Sequence, residues 1–382
     1  MILTQCAVCA APLGLALGKK CGRCCTRCCG PACQAQHWKE GGHDKLCKKI
    51  KRGGGAEQYH ANKKYEEAVA VAAETCAEDT KGQTCYICIE VLHRHTKEGL
   101  VRGCACHTTE GFVHVSCLAE QAKVLVKEAG ENRLGDKVMN ERWVRWYSCS
   151  LCKQEYHGEV RCALGWAYWK TYMSRPEENS FQRGAMNLLG LSLTESGHHE
   201  DALSVGEALL FMMRRLGISG ERMLATQSNL AITYGRVGRL DESLMIERNV
   251  YSGRVKLDGE EHFNTIQAAA NYANSLLSLQ RLEEAKSLVG KIMPVVRRDL
   301  GDNHALTLRI RCIYAMALSS GNATLGDLRE AVRTLEETER IARRVLGGAH
   351  PTAVQIESNL KLARELEVFR RRPSAPAKAG DA

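Results

Sequence analysis

Eighteen of the 19 cysteines in this 382-residue chain lie before residue 163, and most are spaced one to three residues apart. Pairing of this kind limits what the front of the chain can fold into. A Cys-x2-Cys loop is short enough to aim both sulfurs at one ion. Residues 7–18 are apolar enough to resemble the core of a signal peptide. No basic segment precedes them, the pair Lys19–Lys20 follows them, and the stretch overlaps the Cys6–Cys9 pair. The chain is therefore expected to stay in the cytoplasm or nucleus, soluble, with reduced thiols that serve metal sites rather than disulfides.

The first cluster runs Cys6-x2-Cys9, Cys21-x2-Cys24, Cys29-x3-Cys33, His43-x3-Cys47. Eight nitrogen and sulfur donors fill two tetrahedral sites. Cys25 and Cys28 make a further Cys-x2-Cys inside the same stretch, so the register can be read in more than one way. The segment from Cys33 through His37-Trp38 to His43 and Cys47 resembles the end of a MYND-type zinc finger. That resemblance implies one zinc on Cys6, Cys9, Cys29 and Cys33, and another on Cys21, Cys24, His43 and Cys47. It favours Cys24 and Cys29 over Cys25 and Cys28, and it implies a protein-interaction module. His37 is read as a packing or surface histidine beside Trp38.

The second cluster runs Cys85-x2-Cys88, Cys104-x-Cys106, His114-x2-Cys117, Cys149-x2-Cys152. The wording Cys104-Ala-Cys106, Val113-His114-Val-Ser-Cys117-Leu118 and Cys149-Ser-Leu-Cys152 resembles a RING-CH zinc finger. A cross-brace is thereby implied, with Cys85, Cys88, His114 and Cys117 on one zinc and Cys104, Cys106, Cys149 and Cys152 on the other. His107 and His157 are read as bystanders, because four donors already close each site. RING-CH fingers usually act as E3 ubiquitin ligases that grip a ubiquitin-charged E2, so the expected catalysis is positioning, with no nucleophile and no catalytic residue. Ile87 stands at the apolar position that touches the E2 in such fingers. The Trp that the family often carries four residues after ligand six is Gln121 here, and Trp143 or Trp146 is the candidate replacement. The stretch between Cys117 and Cys149 is longer than usual, and residues 118–133 within it show helical spacing.

From residue 178 the chain repeats itself. Asn229 recurs as Asn271, Leu240 as Leu282 and His262 as His304, each after 42 residues. Neighbouring copies are offset by 41 and 46 residues, the longer one through an extra loop near Gly321–Thr324. Each unit holds two amphipathic stretches about a Gly-containing turn, and such a unit must stack on a neighbour to bury its apolar stripe. Asn229-Leu-Ala, Arg281-Leu-Glu-Glu-Ala285 and Leu346-Gly-Gly-Ala-His350-Pro351 resemble tetratricopeptide repeats of the kinesin-light-chain kind. That resemblance implies a peptide groove in which Asn229, Asn271 and Asn359 could bond a backbone.

The expected fold class is small zinc-stapled modules followed by an all-α tetratricopeptide-like array. The boundaries are 1–50 (MYND-type), 51–82 (helical linker), 83–157 (RING-CH-type), 158–177 (linker), 178–368 (repeats) and 369–382 (disordered tail). Cys76, inside the first linker, is expected to be a buried small hydrophobe. The formal charge of +9 is misleading. Ionising 14 Cys ligands and adding four structural Zn²⁺ leaves about +3, so a nucleic-acid partner is not expected. No run of 18 apolar residues is present, so no membrane partner is expected either. Two functions remain: an E3 ligase whose MYND finger and repeats bind substrate proteins, and a non-catalytic adaptor built from the same modules.

Overall fold

The computed structural model describes residues 6–9, 11, 13, 18–104, 106 and 111–371. Among them are fifteen α-helices and one two-stranded antiparallel sheet. The chain divides into two compact units, one ending at Val237 and the other beginning at Gly238.

The first unit opens with strands β1 (Lys19–Lys20) and β2 (Arg27–Cys28), paired Lys19 to Cys28 and Lys20 to Arg27. Helix α1 (Pro31–Lys39) begins on a proline, whose fixed φ suits the first helical turn. Gly42, at φ 65°, turns the chain into α2 (His43–Arg52). Then come α3 (Ala56–Thr75), α4 (Val115–Glu131), α5 (Gly135–Trp143) and a 3-10 turn over Val144–Trp146. Helices α6 (Gly158–Tyr172), α7 (Ser180–Glu195), α8 (His199–Arg215) and α9 (Glu221–Arg236) complete the unit.

The two segments read as linkers are not loose. Helix α3 packs along α6, and their apolar faces share one core with α4, α7 and α8. Ala61, Tyr65, Ala68, Val69 and Ala72 supply the α3 side. Helix α6 is buried nearly all round, through Val160, Cys162, Leu164, Trp166, Tyr168 and Trp169. A helix apolar on every face shows no amphipathic period, so residues 158–177 resemble a connector in the sequence while forming the centre of the unit. Gly103 marks the close approach: a Cβ there would lie 2.5 Å from the Val160 Cβ. Cys76 is buried in the same core.

The second unit holds α10 (Leu240–Asp258), α11 (Phe263–Ser278), α12 (Leu282–Leu300), α13 (Ala305–Ser319), α14 (Leu325–Leu346) and α15 (Pro351–Arg371). Its connectors reuse one device. Gly259, Gly301 and Gly347 end α10, α12 and α14 at φ 88°, 75° and 88°, where a side chain would be strained. Three residues later His262, His304 and His350 begin α11, α13 and α15. Each turns Nδ1 to accept a backbone N–H two residues on, at 3.2, 3.1 and 3.1 Å. A repeated ion pair opens the second helix of a pair: Arg239 to Glu242 and Arg281 to Glu284, both through two nitrogens. The extra loop before α14 ends in a Thr324–Asp327 capping box. Phe369–Arg371 belong to α15, not to a tail, and the Arg370 guanidinium donates to the Ala323 carbonyl. Residues 372–382 lie outside the described residues.

Candidate metal centres

Three of the Cys-x2-Cys turns share one backbone shape. In each, the residue after the second cysteine takes a left-handed conformation: Cys25 at φ 63°, Ile89 at 63° and Lys153 at 62°. Its N–H bonds back to the first cysteine's carbonyl, at 2.9, 2.8 and 3.1 Å. The amides inside the turn point at sulfur: Ile87 and Cys88 N–H at Cys85 Sγ, and Leu151 N–H at Cys149 Sγ. Such a loop concentrates N–H dipoles on a thiolate, which favours the charged form. The remaining donors come from helices. His43 and Cys47 lie one turn apart on the buried face of α2. His114 caps α4, and Cys117 sits in its first turn.

These elements gather the donors into four quartets, each with its ligand atoms within 4.8 Å of one another: Cys6, Cys9, Cys29, Cys33; Cys21, Cys24, His43, Cys47; Cys85, Cys88, His114, Cys117; and Cys104, Cys106, Cys149, Cys152. Sulfur separations of 3.6 Å (Cys9–Cys29), 3.5 Å (Cys29–Cys33), 3.8 Å (Cys21–Cys47) and 3.7 Å (Cys106–Cys149) are far longer than a disulfide. They match the edge of a tetrahedron with metal–sulfur bonds of about 2.3 Å, which is roughly 3.8 Å. Two quartets are all sulfur and two combine three sulfurs with one imidazole nitrogen, and both donor sets suit Zn²⁺.

The histidines are oriented for the task. His114 Nδ1 faces Cys88 Sγ at 3.3 Å and Cys117 Sγ at 3.7 Å, while Nε2 lies 3.3 Å from the Val91 carbonyl. A proton on Nε2 shared with that carbonyl leaves the Nδ1 lone pair for a metal. His43 presents Nε2 to Cys24 Sγ at 3.4 Å, and its Nδ1 is buried without a partner. His37 stacks near the His43 ring at 4.8 Å and stands outside the quartets, as do Cys25 and Cys28. Burial pushes the Cys28 thiol up to about 11, which keeps its proton on. His157 caps α6. His107 lies outside the described residues.

Electrostatics show why each quartet asks for a cation. A hydrogen bond from Cys104 holds Cys149 down to about 4, whereas burial pushes Cys106 up to about 12. Burial works against ionisation of Cys6, yet the backbone amides of Cys9, Cys29 and Val8 outweigh it and bring it to about 6. Its neighbour Cys33 is raised to about 12, first by the bond it shares with Cys29. In each all-sulfur quartet the protein alone thus favours one thiolate, Cys6 or Cys149, and pushes two neighbours, Cys29 and Cys33 or Cys104 and Cys106, the other way. A divalent ion is what allows all four to ionise. Gly111 completes the last site: at φ 91° it sits where a Cβ would lie 2.8 Å from the Cys106 Cβ.

The residues expected to meet partners have mixed placements. Ile87 is half-buried against the core. More apolar surface is exposed on the same zinc loops than the sequence suggested: Ile89 at 70%, Val91 at 57%, Leu92 at 55% and Leu151 at 44%. A Tyr86 OH to Ser150 Oγ contact of 3.2 Å ties the two loops together. Trp146 cannot face a partner. It is fully buried and stacked 4.6 Å from the Tyr168 ring. Trp143 packs on Tyr168 and Phe181. Both rings join the zinc loops to α6 and α7 because a large aromatic gains most by burial.

The asparagines turn toward the protein. Asn229 donates to Asn187 Oδ1 at 2.9 Å, 42 residues earlier, a ladder partner the repeat could have disclosed. Asn271 is buried and accepts from Arg309 at 2.5 Å. Asn359 donates to Cys312 and Met316 sulfurs. Asn229 thus meets the asparagine one period before it, while Asn271 and Asn359 reach other residues of the neighbouring helix, and all three amides bond within the array.

A family model described as tetratricopeptide repeat matches residues 223–264. No curated protein matches the chain. Among solved structures, a Podosopora anserina kinesin-light-chain candidate with nearly identical TPR-like repeats is 17% identical, covering 60% of this chain and 97% of that one, with a TM-score of 0.38. BtubC (BKLC) from P. vanneervenii is 13% identical over 70% of this chain and 97% of its own, with a TM-score of 0.32. The TPR2AB-domain:pHSP90 complex of yeast Sti1 is 12% identical over 65% and 99%, with a TM-score of 0.23. What marks this chain's helices as tetratricopeptide-like is the 223–264 match together with their spacing. The first helices of successive pairs begin at Ser180, Glu221, Phe263, Ala305 and Pro351, intervals of 41, 42, 42 and 46 residues.

Proposed function

We propose that this is a zinc-binding E3 ubiquitin ligase of the RING-CH type, with a MYND-type finger over residues 1–50, the RING-CH finger over 83–157 and substrate-selecting repeats over 178–368. The observation that carries it is the exposed apolar surface on the paired zinc loops, Ile89, Val91 and Leu92 beside Leu151. Exposed apolar side chains gathered on solvated loops mark an interaction site, and the Tyr86–Ser150 contact holds these two loops together. Ile87, half-buried, lies inside the first of the turns. Four Zn²⁺ would be structural, each closed by four protein ligands. The finger would hold a ubiquitin-charged E2 near a substrate amine, and the thioester would transfer without any nucleophile from this chain.

Autoubiquitination with a panel of E2 enzymes tests the reading. Wild-type protein should form conjugates. Ile89→Ala should lose them while zinc content and Tm stay nearly unchanged, since interface anchors at a hot spot contribute about 2 kcal/mol or more to binding; Ile87→Ala should lose them with some fall in Tm, because Ile87 also packs on the core. Absence of both transfer and E2 binding in wild-type protein sinks the ligase.

A second reading has its own support. Gln121 stands where the family often has an E2-contacting Trp, and burial of Trp146 removes one substitute. A finger that binds proteins without transferring ubiquitin, working with the helical pairs as an adaptor, fits that deficit. E2 binding without conjugate formation is its signature.

A further inference from the structure

Helix α2 divides its surface between two jobs. His43, Cys47 and Ile50 line its buried face and serve the metal quartet. Lys45, Lys48, Lys49 and Arg52 are all exposed. Their spacing of i, i+3, i+4 and i+7 stacks them as one stripe on the other side. No ion pair among the described residues involves any of the four. Cations one turn apart repel each other, and a helix normally relieves this with an interleaved acid. Asp44 and Glu40 are the acids nearby, and the Glu40 carboxylate already accepts from Gln36 at 3.0 Å. Dipole compensation at the helix C-terminus accounts for Lys49, Lys51 and Arg52 in the last turn but not for Lys45 in the first. A one-sign stripe that the protein leaves unpaired is complementary to an acidic surface.

From this stripe we infer that α2 docks an acidic segment of a protein partner, with three or more Asp/Glu in extended or helical array. The stripe runs about 10 Å along the helix. That length matches alternate side chains of an extended strand, about 7 Å apart, better than a long polyanion. Nucleic acid fits less well, because Trp38 is the only exposed aromatic among the described residues of this module, too few for stacking on bases. A membrane fits poorly as well, because the apolar face that would insert is turned inward onto the metal site. The surface is independent of the ligase reading and serves an adaptor equally.

The test uses full-length, zinc-loaded protein and a fluorescent hexaglutamate peptide read by anisotropy. Saturable binding is expected, weakening at least tenfold in Lys48→Glu/Lys49→Glu and again when NaCl is raised to about 300 mM. Lys48→Arg/Lys49→Arg should bind within about twofold of wild type, because charge rather than geometry is read. Zinc content measured on every variant separates loss of surface from loss of fold, and Lys48→Gln/Lys49→Gln replaces the reversal if zinc is lost. Three results overturn the inference: no saturable peptide binding, equal binding by the charge-reversed protein, or tighter charge-dependent binding of a mixed-sequence oligonucleotide or of phosphatidylserine vesicles than of the peptide.

Discussion

Residues 18–55 and the second unit solve the same problem by opposite means. Around the second metal quartet the buried cluster is only Cys24, Cys47, Ile50 and Ala56, two of them ligands. The strands are two residues long. In the second unit, by contrast, each helix buries a row such as Ala285, Leu288, Val289, Ile292 and Val296 against its neighbours. Below about 40 residues a chain cannot bury enough surface to fold unaided. Donor quartets fit to hold a metal stand in one region where stacked apolar rows supply the cohesion in the other.

The sharpest way to break this comparison is to withdraw the metal. Purified protein should carry about four Zn²⁺ by mass spectrometry of the metal. A strong chelator should unfold the front while the α10–α15 helices keep their circular-dichroism signal, because structural zinc contributes about 10–16 kcal/mol to such modules. Cys29→Ser should lose zinc and Cys28→Ser should not. The reverse result would show that the other thiol register is the true one. Next in size is a core deletion. Leu335→Ala, at a fully buried position in α14, should cost about 2–5 kcal/mol in denaturant melts with zinc content unchanged. Zinc loss there would erase the distinction between the regions.

Smaller still is Gly111→Ala. Left-handed strain together with the 2.8 Å approach to Cys106 should cost about 1–3 kcal/mol and loosen only the quartet of Cys104, Cys106, Cys149 and Cys152. Metal release kinetics should show one fast-exchanging zinc in four. The smallest effect concerns pH in the second unit. Burial holds His350 below the usual histidine value, and its neutral Nδ1 caps α15. With the folded pKa depressed, the contribution is complete above about pH 6.5 and is lost as pH falls through the folded value. Hydrogen exchange at the Thr352 amide should therefore quicken under mild acid, while amides in the middle of α13 do not respond.

What the sequence disclosed follows the same divide. Ligand spacing and the 42-residue period are local arithmetic, and both can be read without knowing what packs on what. Residues 158–177 escaped because burial on all sides removes the very contrast that periodicity measures. Trp143 and Trp146 read as partner-facing in the sequence because an aromatic near a Cys-x2-Cys loop looks alike whether it turns inward or outward. Asn187 stands 42 residues before Asn229, yet the sequence alone does not mark it as that residue's partner. Its ladder depends on successive helices lying side by side, which no single unit records.

The clasp between α3 and α6 sets an order of events during synthesis. Roughly eighty residues separate Thr75 from Gly158. As the chain leaves the ribosome at about 5–20 residues per second, α3 emerges seconds before its partner helix. Through that interval Tyr65, Val69 and the alanines beside them lack the cover of α6, although the quartet of Cys85, Cys88, His114 and Cys117 is already complete. A chain cut at residue 157 would keep that interval open permanently. Such a fragment would hold every donor of the second cluster and still be prone to aggregate, because α6, itself covered by α7 and α8, is what closes over α3.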